Sequence, residues 1–480
     1  MPGMAIQMTE KPLTIFNQEM IEPSAIQQIE NCLADERAVA AALMGDAHLG
    51  YAMPIGGVVA YEDAISPTGV GFDIGCGNKA VKTNISIFDL GVEESSGTDG
   101  SMMVVDNVLR PLMYAILGSV SFGIGRKNPT PIQHSVLEED IWGEVEKQFG
   151  KQLHDKARDQ LGTVGSGNHY VDILVDESGK IWVANHFGSR GLGHTIASGF
   201  MAAAAGKDFT DRVPETEDSV VLSTKTDLGQ FYVEAMELAG RYAYAGRDYV
   251  IDQVLNLLGA EAIESVHNHH NFAWQENGLW VVRKGATPLT TAPAYIGGSM
   301  GQGAVIVRGL TPLERFRREH GGHPVFMDPM DMLDTDFEVE DLGNLGSAPH
   351  GSGRVMSRTQ AAGKMRKMWY CNNRNCDFEP FRKTSNGSPY PKNHCSKCDL
   401  PLRAGRMRDK TTAAIDWNEA RKNLNDRGIV VLGAGADESP GVYKDLATVL
   451  AAHPNIEILH TLHPLGVVMA GDNEFDPYKD

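Results

Sequence analysis

The stretch GDAHLGYAMPIGGVVAYEDAISPTGVGFDIGCGNKAVK, from Gly45 to Lys82, decides how the rest of the chain is read. It is dense in Gly, Pro and β-branched residues, so it predicts strands joined by tight turns. Within it, Asp73 and Cys76 stand at i and i+3 in the turn Phe72-Asp73-Ile74-Gly75-Cys76-Gly77, where both side chains can converge on one point. A thiolate there is able to bridge two borderline metals, with imidazoles completing the shells. The candidate imidazoles are His169, His186 and His270. Each histidine taken alone also reads as a hydrogen-bonded core or surface residue, and Cys76 as a small buried hydrophobe. Spacing does not choose between these readings, because the residues are scattered between Asp73 and His270.

Outward from this stretch the pattern is mixed. Ser24–Met44 reads as an amphipathic helix, with Ile26, Ile29, Leu33, Ala40 and Leu43 on one face. A charged helix is expected around Leu137–Leu161. Strand-like runs at His169–Val175 and Ile181–Asn185 flank a turn at Asp176–Lys180. Leu228–Leu258 reads as a long helix closed by Gly259, followed by strands at Leu279–Arg283 and Ala304–Arg308. Ser439-Pro440 should start another helix, and Ile456–Leu462 is a late strand. No repeat of fixed period is present. The fold class expected is mixed α/β: one large loop-rich body interrupted near residues 365–410.

Composition sets bounds. The chain has 480 residues, 42% hydrophobic and 22% charged, which excludes collagen, coiled coil and wholesale disorder. Forty-three Lys+Arg against 62 Asp+Glu give a net charge of −19, so RNA binding requires a locally basic surface. Six cysteines in so long a chain do not make a disulfide framework, and a late cluster of four points to metal in a reducing compartment. The amino terminus lacks a basic region followed by an apolar one, and the uncharged run Ala286–Val307 is too polar to span a membrane. A soluble cytoplasmic protein is the expectation.

Neither a Walker A motif nor a GxGxxG opening a helix is present. Glycine-rich loops with polar termini recur instead: Gly165-Ser166-Gly167-Asn168-His169, His186-Phe187-Gly188-Ser189-Arg190-Gly191, Gly297-Gly298-Ser299-Met300-Gly301 and His350-Gly351-Ser352-Gly353-Arg354. Glycines let backbone N–H groups approach a phosphate, and Arg offers a bidentate fork. Together these loops suit phosphate handling.

Ordered along the chain, these strings resemble the RtcB family of RNA ligases. The likeness runs from roughly Gly45 to Gly471 and includes Asp46-Ala47-His48-Leu49-Gly50-Tyr51, His269-His270-Asn271, Arg283-Lys284-Gly285-Ala286-Thr287, Gly346-Ser347-Ala348-Pro349-His350-Gly351 and Glu438-Ser439-Pro440. The resemblance implies GTP- and manganese-dependent joining of an RNA 3′-phosphate or 2′,3′-cyclic phosphate to a 5′-hydroxyl. It places Asp73, Cys76, His169, His186 and His270 on the two-metal site, with Cys76 as the bridge. It places His350 on the nucleophile that carries GMP and Asp46 on the carboxylate that orients it. Asn168, Asp172, Arg190, Ser299, Gly351, Ser352, Gly353 and Tyr443 fall among the nucleotide or RNA contacts. A small activating protein, archease, is an implied partner beside RNA and the nucleoside triphosphate. The donor set itself tolerates Mn2+, Co2+ or Zn2+.

Two departures stand out. Where the family typically has Glu three residues after the histidine of its Asn-His motif, this chain has Asp172. The family's terminal lysine near guanine is replaced, because the tail reads Pro464-Leu465-Gly466-Val467-Val468-Met469-Ala470-Gly471. Loss of one hydrogen-bonding partner from a buried base pocket costs on the order of 1–3 kcal/mol. A protein that binds or activates RNA 3′-phosphate ends with altered sealing is the alternative reading.

Cys371 and Cys376, then Cys395 and Cys398, form C-x4-C and C-x2-C knuckles suited to a structural Zn2+ in a zinc ribbon, with His394 able to replace one cysteine. The expected division is 1–363 and 411–480 for the main body and 364–410 for the ribbon. Lys364–Lys410 holds 12 Lys+Arg and 4 Asp+Glu, interspersed with Trp369, Tyr370, Phe378, Phe381 and Tyr390. That mixture suits single-stranded RNA. The alternatives are a small aromatic core with solvated charges, or a surface for a protein partner.

Overall fold

A computed structural model describes residues 11–90, 106–212, 218–319, 341–373, 376, 378–382 and 394–471. Two sheets organise it. The larger is eight-stranded and runs in the order 294–297, 304–309, 456–471, 170–176, 180–187, 77–86, 262–269, with 430–434 added in parallel to 456–471. All its other pairings are antiparallel. The smaller sheet is five-stranded, in the order 13–15, 38–48, 55–61, 279–284, 271–276. The mixed α/β class expected from the sequence is the class observed.

One face of the larger sheet (Val81, Val171, Ile173, Val183) packs against the helix Asp106–Ser119 and the end of the helix Asp227–Leu258. The other face carries Ala80, Leu174, Trp182, Ala184 and Leu462. The Asp227–Leu258 helix also reaches the smaller sheet, so it ties the two layers together. Thr226 caps it by accepting from the Gly229 N–H, and Gly259, at φ 62°, ends it. The expected strands at 169–175, 181–185, 279–283 and 304–308 are present within a residue or two.

Three expectations are corrected. The helix expected over 24–44 spans only Pro23–Leu33, and Ala38–His48 is a strand. Asp35 holds the intervening turn by accepting from the Arg37 N–H at 2.9 Å. The run from Ala38 is paired on both sides and nearly continuously buried, so its apolar residues carry no helical period. The helix expected around 137–161 is two helices, Trp142–Phe149 and Lys151–Gln160, broken at Gly150 with φ 83°. Ser439-Pro440 opens a single 3-10 turn over Pro440–Val442; the helix that follows is Leu446–Ala451, capped by Asp445. The late strand extends from Ile456 to Gly471, with its register shifting between Pro464 and Gly466.

Candidate active site

Neighbouring strands of the larger sheet open at one edge. Gly77 pairs with both Phe187 and His269, and Tyr170 pairs with His186. Strand 77–86 and strand 170–176 begin where 180–187 and 262–269 end, so Cys76, His169, His186 and His270 meet although the sequence scatters them. The ligand atoms of Cys76, His169 and His186 lie within 4.8 Å of one another. Cys76 Sγ is 3.7 Å from His169 Nε2 and 3.4 Å from His186 Nε2. Asp73 Oδ2 lies 2.9 Å from His169 Nε2. The His270 ring sits 4.9 Å from that of His186 and 4.9 Å from that of His350, centroid to centroid.

Hydrogen bonds behind the rings set their tautomers. His186 donates from Nδ1 to Asn78 Oδ1 at 2.7 Å, and His169 from Nδ1 to the Val164 carbonyl at 3.0 Å. The His186 Nε2 lone pair therefore faces Cys76, while His169 Nε2 lies between the Asp73 carboxylate and Cys76 Sγ. Burial holds the His186 and His270 imidazoles well below their ordinary pKa, so they are neutral. Burial, then the Asp73 carboxylate, pushes the Cys76 thiol up. The Nδ1 of His270 is buried without a hydrogen-bond partner. A soft sulfur, neutral imidazoles, a carboxylate and an orphaned ring nitrogen make a donor set that fits borderline divalent cations. Gly188 is required here, because a Cβ would come within 2.2 Å of Asp73 Oδ1.

Arg247 holds the frame. Its guanidinium, fully buried on the long helix, donates to the Gly75 carbonyl at 2.9 Å and the Phe187 carbonyl at 2.6 Å, and Nε donates to His267 at 2.9 Å. It thereby fixes the loop of Asp73 and Cys76 to the strand end of His186. The signal was present in the sequence: Arg247 interrupts the buried helical stripe of Tyr232, Met236, Ala239, Ala243 and Val250.

Asp46 stands on a bulge. The Ala38–His48 strand leaves its register with Ile55–Tyr61 between Leu43 and His48. The buried Lys444 ammonium donates to the freed carbonyls of Gly45 and Ala47, at 3.2 and 2.8 Å. This re-aims Asp46 inward, with its side chain fully buried. There it accepts from His350 Nδ1 at 2.7 Å and from the backbone N–H groups of His350 and Gly351 at 3.2 and 3.3 Å. Burial alone would raise the Asp46 pKa, but the charge and hydrogen bond of His350 hold it below the usual carboxylate range. Gly353, at φ 69°, passes so close that a Cβ would meet the Asp46 carbonyl oxygen at 1.9 Å.

His186 and His350 face a cavity of about 620 Å³. Gly351, Ser352 and Gly353 line it beside His350; Asn168, Asp172, Ser299 and Tyr443 form the remaining walls that the sequence pointed to. Arg190 instead stands behind His169, with Nη1 3.2 Å from Nδ1, and is not among the lining residues. Asp172 and Met469, the two departures, share one wall; their neighbours Val467 and Tyr170 are their respective strand partners. Asp172 Oδ1 is buried without a partner, and burial raises its carboxyl well above the ordinary value.

Sequence reasoning left Arg358 and Glu438 without roles, yet both line the cavity and pair with each other. Arg354 also belongs to this group, donating to the Asp437 carbonyl at 2.7 Å and to the Tyr443 hydroxyl at 3.3 Å.

A family model described as tRNA-splicing ligase RtcB matches residues 28–322. This chain belongs to the RtcB family. The tRNA-splicing ligase RtcB of Archaeoglobus fulgidus is 29% identical over 413 aligned residues, covering 72% of this chain and 80% of that protein. The RNA-splicing ligase RtcB of Escherichia coli K12 is 29% identical, covering 67% of this chain and 75% of its own. The tRNA-splicing ligase RtcB of Methanococcus maripaludis is 28% identical and aligns over 94% of this chain and 92% of that one.

The second cysteine cluster of this RtcB-family chain is equally well gathered. Cys371, Cys376, Cys395 and Cys398 have sulfurs within 4.8 Å of one another, with Cys371–Cys398 at 3.4 Å and Cys376–Cys395 at 3.6 Å. A tetrahedron with Zn–S near 2.3 Å has S–S edges of about 3.8 Å. His394 is outside this group and makes a backbone bridge to Pro401. The cysteines cap a three-stranded sheet of Phe381–Arg382, Met365–Cys371 and Leu402–Arg408. Trp369, Phe378 and Phe381 pack with them as a small core, so those three aromatics are structural. Tyr390 lies outside the described residues. Among the described residues, no helix is long and apolar enough to cross a membrane.

Proposed function

We propose that the protein is an RNA ligase that joins RNA 3′-phosphate or 2′,3′-cyclic phosphate ends to 5′-hydroxyl ends through nucleotide carried on His350. One observation carries the reading: the Asp46–His350 pair opens on the same cavity as His186 of the Cys76–His169–His186 cluster. The relatives' names support RNA as the substrate and ligation as the reaction.

His350 donates an Nδ1–H hydrogen bond to Asp46, and in that neutral tautomer Nε2 keeps its lone pair. That lone pair attacks the α-phosphate of GTP; the P–N bond forms and pyrophosphate leaves with the electrons of the broken P–O bond. Asp46 offsets the positive charge that develops on the ring. An RNA 3′-phosphate oxygen then takes the GMP, restoring neutral His350. The 5′-hydroxyl oxygen attacks the activated 3′-phosphorus, releasing GMP and a proton as the strand closes. A 2′,3′-cyclic end is first opened by water to a 3′-phosphate. Asp73, Cys76, His169, His186 and His270 would hold Mn2+, which supplies charge neutralisation at the phosphate oxygens. Asn168, Ser299, Ser352 and Tyr443 line the cavity and would supply the triphosphate and base contacts.

Residues 364–410 would form a zinc ribbon held by the four cysteines, set into a catalytic body of 1–363 and 411–480. Asp172 and Met469 favour a second reading of base choice and sealing, in which 3′-phosphate ends are activated but joined poorly. A nick-joining assay with each of the four nucleoside triphosphates separates them. Sealed product with GTP supports ligation; accumulation of nucleotide-capped, unjoined ends supports the second reading, and neither product with any triphosphate would falsify both.

A further inference from the structure

The ribbon sheet is polar on its near half and apolar on its far half. In its register, Met365 faces Arg408, Lys367 faces Arg406, Trp369 faces Ala404 and Cys371 faces Leu402. Directly opposed residues and every second residue share a face. Trp369, Cys371 and Leu402 fill the small core beneath the cysteines. Lys367, Arg406 and Arg408 therefore occupy the rest of that face, toward the catalytic body.

That row is continuous with the cavity. Arg408 reaches Asp437 at 3.7 Å and the Gly363 carbonyl at 3.5 Å. Asp437 precedes Glu438, which lines the cavity together with Arg354 and Arg358. The helix Arg358–Ala362, whose Arg358 and Gln360 also line the cavity, leads directly into the first ribbon strand. One step outward from Arg408, Lys367 and Arg406 are both exposed and make no ion pair among the described residues. Like charges directly opposed across a sheet are destabilising by several tenths of a kcal/mol. Segment 364–410 carries +8 in a chain of −19, so this module is locally basic within an acidic chain.

We propose that the ribbon face bearing Lys367, Arg406 and Arg408 is a track for the sugar-phosphate backbone of single-stranded RNA, leading its 3′ end into the cavity at His350. The inference rests on the reading of the protein as an RNA ligase. Lys367 and Arg406 stand abreast, with Arg408 one step nearer the cavity beside Asp437, and such cations neutralise phosphates without reading bases, which suits a strand whose sequence varies. Trp369 is committed to the core, so affinity comes from charge and not from stacking on that ring.

The test uses full-length, zinc-loaded protein and single-stranded oligoribonucleotides of about 12 nucleotides ending in a 3′-phosphate. The double variant Lys367→Gln/Arg406→Gln should bind them roughly tenfold more weakly at low salt, with the slope of log K against log salt reduced by about 1.4. The variant Arg406→Lys, which keeps the charge, should hold affinity within about threefold. Unchanged affinity and slope in the double variant would overturn the proposal, and would direct the surface to an acidic protein instead. Nucleotide uptake by wild-type His350 needs no RNA and is measured separately. Its failure would overturn the ligase reading while leaving the RNA-binding comparison to stand or fall by itself.

Discussion

The two cysteine-containing clusters are built in opposite ways. At the cavity, Asp73, Cys76, His169, His186 and His270 come from distant parts of the chain, and the sheet edge, Asn78 and Arg247 hold them. In the ribbon, four cysteines close in sequence surround a core that, among the described residues, has only a few apolar side chains. In the first case the fold prepares the site. In the second, the site must hold the fold, because so small a core does not offset the entropy of ordering its loops. Removing metal should therefore melt the ribbon and leave the catalytic frame in place.

That contrast can be broken or sharpened by substitution. His350→Ala should abolish nucleotide uptake, as read by retention of labelled GMP on protein denatured and separated at alkaline pH; retained label at wild-type level would remove His350 from its role. Asp46→Asn keeps the shape and an oxygen acceptor for Nδ1–H but loses the negative charge that offsets the positive charge developing on the ring. Its adduct formation should slow on the order of 10²–10⁴-fold in single-turnover kinetics. Arg247→Met leaves the Gly75 and Phe187 carbonyls unpaired. It should destabilise the body by roughly 3 kcal/mol in denaturant titration and weaken manganese affinity about 10–100-fold. Cys398→Ser should have the smallest effect on the catalytic centre. Elemental analysis should show one zinc lost, while nucleotide uptake in the absence of RNA stays within about threefold. If zinc removal collapses nucleotide uptake as well, the two regions are not independent and the contrast fails.

Much of the site was legible because its residues sit in glycine-rich strings whose order along the chain is distinctive. Asp73-Ile74-Gly75-Cys76 and Pro349-His350-Gly351 needed no knowledge of pairing to be singled out. The strand Ala38–His48 was not legible, since a run of alanines with Leu43 and Met44 satisfies a helical pattern as well as a doubly paired strand. Only its neighbours on both sides decide, and they lie far off in sequence. The same holds for the aromatics of the ribbon. Composition joined Trp369 and Phe381 to the basic charges, whereas strand register turns them to the cysteine core. Arg190, singled out by its motif, lies against His169, with Nη1 3.2 Å from Nδ1.

The decisive measurement is mass mapping of the protein after incubation with Mn2+ and isotopically labelled GTP, or each other labelled nucleoside triphosphate in turn, without RNA. A single acid-labile GMP on the peptide containing His350 is the result required if Asp46 presents its Nε2 to the cavity. Label on another residue, or none with any nucleoside triphosphate, would contradict the account at its centre.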